Sequence, residues 1–275
     1  MTVVGITMVR DEADIIEHVI RHMATQVDAI IVADNLSTDG TDYILHDLIR
    51  DVPVPLQVYA DDVVAYEQSK KMTALANMAH DQFGANWIVP FDADEIWYAP
   101  GQTVKEFLGR VTGASVVECN LYDHVATAFD DDLQANPVAR IQWRRDYAAP
   151  LPKVACRWHP SMKIGMGNHD VAYRNQQAPW RQRMAIRHFP YRSPEQVIRK
   201  IRNGAQAYAA TDLPDHFGAH WRGWGQILDL HGPGAIEELF RKWHWRENPD
   251  SVLIIDGEQQ PPLRFDPACD VTSIC

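Results

Sequence analysis

Within the first hundred residues, continuous apolar runs alternate with amphipathic stretches, and this alternation restricts the fold more than any other feature of the chain. Val3 to Val9 is apolar and rich in β-branched residues, as expected of a strand covered on both faces. From Asp11 to Gln26, Ile15, Ile16, Val19, Ile20 and Met23 fall on one helical face. Asp11, Glu12 and Asp14 then occupy the first turn, where the helix dipole favours acids. Ala29 to Ala33 reads as a second buried strand, and the turn Asp34-Asn35-Leu36-Ser37-Thr38-Asp39-Gly40 opens a helix carrying Ile44, Leu45, Leu48 and Ile49. Val54 to Ala60 and Trp87 to Phe91 read as further strands, separated by a helix from Glu67 to Phe83. This order predicts an α/β, Rossmann-like fold with a mostly parallel central sheet and helices on both faces.

After Pro100 the pattern changes. A short helix over Thr103 to Val111 precedes strand-like pieces at Ser115 to Tyr122, Ala139 to Trp143, Lys153 to Trp158, His169 to Tyr173 and Met184 to His188. Ser193-Pro194-Glu195-Gln196 has the residues of a capping box with proline at the first helical position, opening a helix towards Ala210. Another helix is expected from Gly234 to Arg246, and Pro261-Pro262 marks an extended tail. The expected division is a main α/β domain over residues 1–190, with a helical C-terminal extension over 191–275 packing on it.

Composition narrows the partners. The chain of 275 residues has a formal charge of −11, which argues against a nucleic-acid partner because phosphate backbones need a basic surface. No apolar run approaches the ~20 residues that span a bilayer, and the N-terminus has no basic leader, so no transmembrane segment is expected. Cys119, Cys156, Cys269 and Cys275 lack metal-site or disulfide-framework spacing. The expectation is a soluble cytoplasmic protein. Trp221, Trp224, Trp243 and Trp245 are expected to pack the C-terminal helices on the main domain. Stacking on sugar rings, or peripheral contact with a membrane surface, is their alternative use.

In an open parallel sheet, ligands bind beyond the carboxyl ends of the strands. Arg10-Asp11-Glu12 follows the first strand, Asp34-Asn35 the second, and Asp92-Ala93-Asp94-Glu95 the fourth, so three polar clusters converge on one edge. Asp92 and Asp94, two residues apart at a strand end, point the same way and together suit a hard divalent cation. Spacing alone is a weak signal, since Asp130-x-Asp132 repeats it in a solvated acidic segment. Position at a strand end separates the two.

Several motifs in this order resemble glycosyltransferase family 2 and its relatives, including the family 92-like branch. They are Val4-Gly5-Ile6-Thr7-Met8-Val9-Arg10-Asp11-Glu12, the Asp34-to-Thr41 turn and Phe91-Asp92-Ala93-Asp94-Glu95, with looser likeness at His169 and from His188 to Gly204. The resemblance implies a GT-A type fold and transfer of a sugar from a nucleotide-diphosphate sugar, of UDP or GDP type, to a glycan or other hydroxyl acceptor. It also implies a Mn²⁺ or Mg²⁺ ion held by Asp92 and Asp94, with His169 as a further ligand. Asp34 would meet the base with Arg10 beside it. Lys71 would reach base or phosphate, unless Lys70 and Lys71 form a solvated helix face. Lys153 and Arg157 would offset diphosphate charge, unless they make strand-edge salt bridges. His188 to Glu195 reads mainly as architecture, with Arg192 closing over the nucleotide.

An inverting transfer also needs a base for the acceptor hydroxyl. Asp123, after the strand ending at Tyr122, is the first candidate and Asp170, beside His169, the second; either also suits a turn. Two other readings stand beside this one. A nucleotidyltransferase would show a glycine-rich loop after the first strand, where Val9-Arg10-Asp11-Glu12 has no glycine. The other is a non-catalytic carbohydrate-binding protein on the same fold.

Overall fold

The computed structural model describes residues 1–127, 130–131, 133–175, 178–243 and the strand pieces 253–255, 258–260 and 263–264. Asp132, Trp245, Cys269, Cys275 and the Pro261-Pro262 pair lie outside the described residues, as does the end of the helix expected to reach Arg246.

The first half contains β1 (Val3–Val9), α1 (Ile16–Gln26), β2 (Ala29–Asp34), α2 (Thr41–Asp51), β3 (Leu56–Ala60), α3 (Gln68–Phe83) and β4 (Trp87–Pro90). β1 lies between β2 and β4, β2 pairs with β3, and all three pairings are parallel. Alternate residues of β1 and β2 explain their unbroken apolar character. Val3, Val9, Ile30 and Val32 enter one core with Ile16, Val19, Leu45 and Leu48 of α1 and α2. Val4, Ile6, Ala29 and Ile31 enter the opposite core with Met72, Leu75, Ala76 and Ala79 of α3.

The second half adds β5 (Glu95–Tyr98), α4 (Val104–Gly109), β6 (Val116–Val125), α5 (Pro137–Arg140), β7 (Trp143–Arg144), β8 (Lys153–Arg157), β9 (Lys163–Ile164), β10 (Val171–Ala172) and β11 (Met184–His188). β8 is antiparallel to β4 and to β6, so β6 runs with β4, and β11 runs parallel to β6. β5 closes that side antiparallel to β11. The result is the expected α/β fold, GT-A type and Rossmann-like, followed by the helices α6 (Pro194–Ala209), α7 (Ala219–His231) and α8 (Pro233–Trp243). No helix among the described residues is long and apolar enough to cross a membrane.

Five local expectations change. α1 starts at Ile16, because Asp11 adopts φ 55° and the carbonyl of Glu12 accepts from the N–H groups of Ile15 and Ile16 in a turn. The acids expected in its first turn are thereby left free to serve the sheet edge. The strand expected over 139–143 is instead α5, capped by Asn136, followed by β7. β5, β9 and α7 are additions.

α6 and α7 meet at two glycines. A Cβ on Gly204 would stand 2.8 Å from the Trp221 ring, and one on Gly225 would stand 2.6 Å from the Ala205 Cβ. A Cβ on Gly223, two residues away on α7, would meet nothing within 4 Å. Gly225→Ala should therefore lower stability by about 1–3 kcal/mol through overpacking. Gly223→Ala should raise it by up to about 1 kcal/mol through helix propensity. Urea midpoints check the pair; equal shifts in one direction would contradict this packing.

Candidate active site

Parallel alignment of β1, β2 and β4 brings their carboxyl ends to one edge, where a cleft of about 320 Å³ opens. Arg10, Glu12, Asp92, Asp94 and His188 line it from the sheet side. Lys200 and Asn203 of α6, with Tyr208 and Trp221, line it from the helices.

Asp94 is shielded and densely surrounded. Lys200 Nζ lies 2.5 Å from its Oδ2, Arg192 Nη1 3.9 Å from the same oxygen, and His188 Nε2 3.6 Å from Oδ1. Burial alone would raise its pKa, but Lys200, His188 and Arg192 outweigh it and hold the carboxyl well below its ordinary value. Asp92 keeps 32% of its side-chain exposure. Its Oδ2 is bonded to Lys153 Nζ, and its Oδ1 accepts from Asn168 Nδ2 at 2.9 Å. Lys153 is buried and also lies 3.0 Å from Glu95 Oε1. Burial opposes its charge, yet Asp92 and Glu95 raise its pKa. Glu95 also accepts from the Asp92 N–H at 3.0 Å and from Trp97 Nε1 at 2.9 Å, which fixes the backbone between the two aspartates.

Strand register supplies the next group. His188 on β11 stands opposite Asp123 on β6 and Glu95 on β5. Its Nδ1 donates to Asp123 Oδ1 at 2.7 Å. Asp123 therefore reaches the cleft through His188, while its Oδ2 faces Arg145 at 3.8 Å. Asp170 is exposed on the turn before β10, against Gly165, and does not line the cleft.

The remaining expected residues are distributed as follows. Arg10 lines the cleft, donates to Gln206 from Nη2 at 2.9 Å, and keeps Nε and Nη1 buried without a hydrogen-bond partner. Asp34 sits at the end of β2 with one carboxylate oxygen buried and unpartnered; burial raises its pKa against hydrogen bonds from Ser37. Its neighbour Asn35, not Asp34, lines the cleft. Lys71 lies 2.5 Å from Asp61 Oδ2 and donates to the Val63 carbonyl at 2.6 Å, which ties down the segment before α3. Lys70 is exposed and paired with Glu67. His169 turns Nδ1 to the Pro152 carbonyl at 2.9 Å, and burial, then Lys153, lowers its pKa. Asn168, not His169, reaches Asp92. It does so from φ 57°, a left-handed conformation that asparagine tolerates.

Arg192 is fully buried, bonded to Glu12 and, at 2.7 Å, to Asp14. It fastens the loop after β1 rather than lying open to the cleft. Sequence reasoning missed His188 and Lys200 as members of the site, and placed Glu12 at the converging edge without giving it a role. The only signal for the first two was the segment from His188 to the capped start of α6, which fixes the approach of both.

Among the described residues, no group of three or more His, Cys, Asp or Glu side chains is gathered to hold a metal ion. Asp92, Asp94 and His169 thus form no cage of their own. Mg²⁺ and Mn²⁺ at phosphate sites commonly take one or two carboxylates and complete their shell from the substrate. The donors present fit that arrangement, since Asp92 and Asp94 line one cleft and the buried Asn168 Oδ1 beside Asp92 lacks a partner.

No family model and no curated protein matches the sequence. Among solved structures, the chain is similar to S. aureus TarS 1-349 in complex with UDP, at 12% identity and TM-score 0.42 over 84% of this chain and 73% of that one. It is also similar to the mannosyltransferase PcManGT from Pyrobaculum calidifontis in complex with GDP-Man and Mn²⁺. That match has 17% identity and TM-score 0.42, over 86% of this chain and 72% of that one. Both are loose superpositions.

His124, next to Asp123 on β6, packs on Phe189. Its Nδ1 bonds the Ile141 carbonyl at 2.9 Å and its Nε2 accepts from Arg187 Nε at 3.1 Å, which requires a neutral ring. Burial, then the Arg187 charge, pushes its pKa well below 6.5. The unfolded chain therefore binds a proton near pH 6.5 that the folded one refuses; this contribution is full above that pH and is lost as pH falls below it. Between about pH 7 and about pH 5, the urea midpoint of the wild type should fall more steeply than that of His124→Gln. Equal slopes would contradict the buried neutral ring.

Proposed function

We propose that the protein is a glycosyltransferase that moves a sugar from a UDP- or GDP-type nucleotide sugar to a hydroxyl on a glycan or similar acceptor. The observation that carries this reading is the pairing, in one cleft, of the Asp92 and Asp94 carboxylates with an Arg10 guanidinium whose Nε and Nη1 lack partners. Buried donors without acceptors are costly, so Arg10 calls for an anion. Paired carboxylates beside it call for a cation. A diphosphate carrying a divalent ion satisfies both. The motif resemblance to glycosyltransferase family 2 agrees with this reading.

Asp92 and Asp94 would hold Mn²⁺ or Mg²⁺ together with phosphate oxygens, and the ion would serve as Lewis acid towards the leaving diphosphate. Asp34, at the neighbouring strand end, is assigned to the base. In the proposed transfer the bond from the anomeric carbon to the β-phosphate oxygen breaks, its electron pair staying on phosphate. The acceptor oxygen bonds that carbon and gives its proton to the unprotonated form of His188 at Nε2. Burial lowers the pKa of this ring, but Asp94 and Asp123 outweigh it and raise it, which makes the ring a stronger base. Asp123, on Nδ1, then stabilises the imidazolium. This assigns inverting chemistry and makes Asp123 the partner of the base. Tyr191, Tyr208 and Trp221 offer aromatic faces for sugar rings. Residues 1–190 form the catalytic domain in this account, and the helices that follow roof it.

With UDP- and GDP-sugars and Mn²⁺, the protein should release free nucleoside diphosphate. Asp92→Asn should cut the rate on the order of 100-fold or more with little change in melting temperature. Pyrophosphate release from a nucleoside triphosphate would instead identify a nucleotidyltransferase. Near-normal turnover by Asp92→Asn would remove Asp92 from the mechanism.

A further inference from the structure

We propose that Lys200 is the protein's own cation for the leaving diphosphate, held on Asp94 while the cleft is empty of donor and turned to the β-phosphate when donor binds. This rests on the glycosyl-transfer reading and adds a catalytic residue to it. Lys200 lies on the face of α6 that looks into the cleft, together with Asn203, and keeps 23% of its side-chain exposure. Its ammonium has three hydrogens to donate. Two are directed at Asp94 Oδ2, at 2.5 Å, and the Pro190 carbonyl, at 3.3 Å. Glu12 Oε1, at 3.7 Å, is beyond hydrogen-bond length. One donor is thus left for a ligand.

Asp94 has a second, fixed cation beside Lys200. Arg192 faces the same carboxylate at 3.9 Å and is fully buried and fixed by Glu12 and Asp14. Lysine is the mobile member of the group, a compact charge on a flexible stem. It can leave Asp94 to a metal ion and follow the phosphate without leaving the cleft. As the anomeric carbon–oxygen bond breaks, the electron pair stays on the β-phosphate oxygen, and Lys200 donates a hydrogen bond to that growing charge. The acceptor proton goes to His188, as above.

Calorimetry on the full chain tests this, using UDP and GDP against UMP and GMP, first in EDTA and then in Mn²⁺. In EDTA, Lys200→Met should weaken diphosphate binding by about 10- to 100-fold, the worth of a charge-assisted hydrogen bond, and leave monophosphate binding nearly unchanged. Lys200→Arg should recover most of the loss. Should Lys200→Met fold poorly, Asp94→Asn/Lys200→Met removes both charges of the pair, and its binding in EDTA is compared with that of Asp94→Asn alone. Diphosphate binding in EDTA that is unchanged by loss of Lys200, or wild-type binding seen only with Mn²⁺, overturns the inference and leaves the function standing. Absence of nucleotide binding by the wild type in both conditions overturns the two together.

Discussion

One buried guanidinium holds the site in shape. Arg192, placed just before α6, bonds Glu12 and Asp14 of the loop after β1, donates to the Phe189 carbonyl at 2.8 Å, and lies 3.9 Å from Asp94 after β4. Burial weakens its charge, but Glu12, Asp14 and Asp94 more than compensate, raising its pKa. Three segments distant in sequence are thereby fixed to one planar fork. The cost of losing one partner of such a buried network is about 3–5 kcal/mol, because the remaining charges stay in low dielectric unpaired. The fork also orients α6, whose Arg199 and Asn203 reach Asp11 and whose Lys200 reaches Asp94.

The same network bears on how the cleft would take a cation without a metal cage. Each carboxylate of the Asp92 and Asp94 pair is engaged by a lysine, and Glu95 beneath them shares Lys153. In this state the site neutralises itself. A divalent ion competing alone for Asp92 and Asp94 meets two ammonium groups, whereas an ion bound to diphosphate brings anionic oxygens for Lys200 and Arg10. Ligand and ion are therefore expected to stabilise one another's binding.

Much of this was legible in the chain itself. The continuous apolar runs at Val3 and Ala29 announce strands buried on both faces, and those strands enter two cores through alternate residues. Strand order alone brought Arg10 and Asp92 to one edge. The rest was hidden for physical reasons. The acids Asp11, Glu12 and Asp14 have the composition of a helix first turn, and only the positive φ at Asp11 reveals a loop directed at α6. β5 is four residues long and begins at Glu95 itself, the last acid of the motif, so periodicity could not separate the two. His188 and Lys200 enter the site by tertiary placement, β11 in register with β6 and Lys200 of α6 bonded to Asp94 after β4, which no local pattern encodes. Lys71 looked like a phosphate contact by position, yet its charge is met by Asp61.

The most direct measurement is a crystal structure of the protein with a nucleoside diphosphate and Mn²⁺. The account places the phosphates between Arg10 and Lys200, the ion on Asp92 and Asp94, and the base towards Asp34. Phosphates seated instead in the neighbouring pocket beside Lys70, Lys163 and Thr211, with Lys200 still on Asp94, would contradict it.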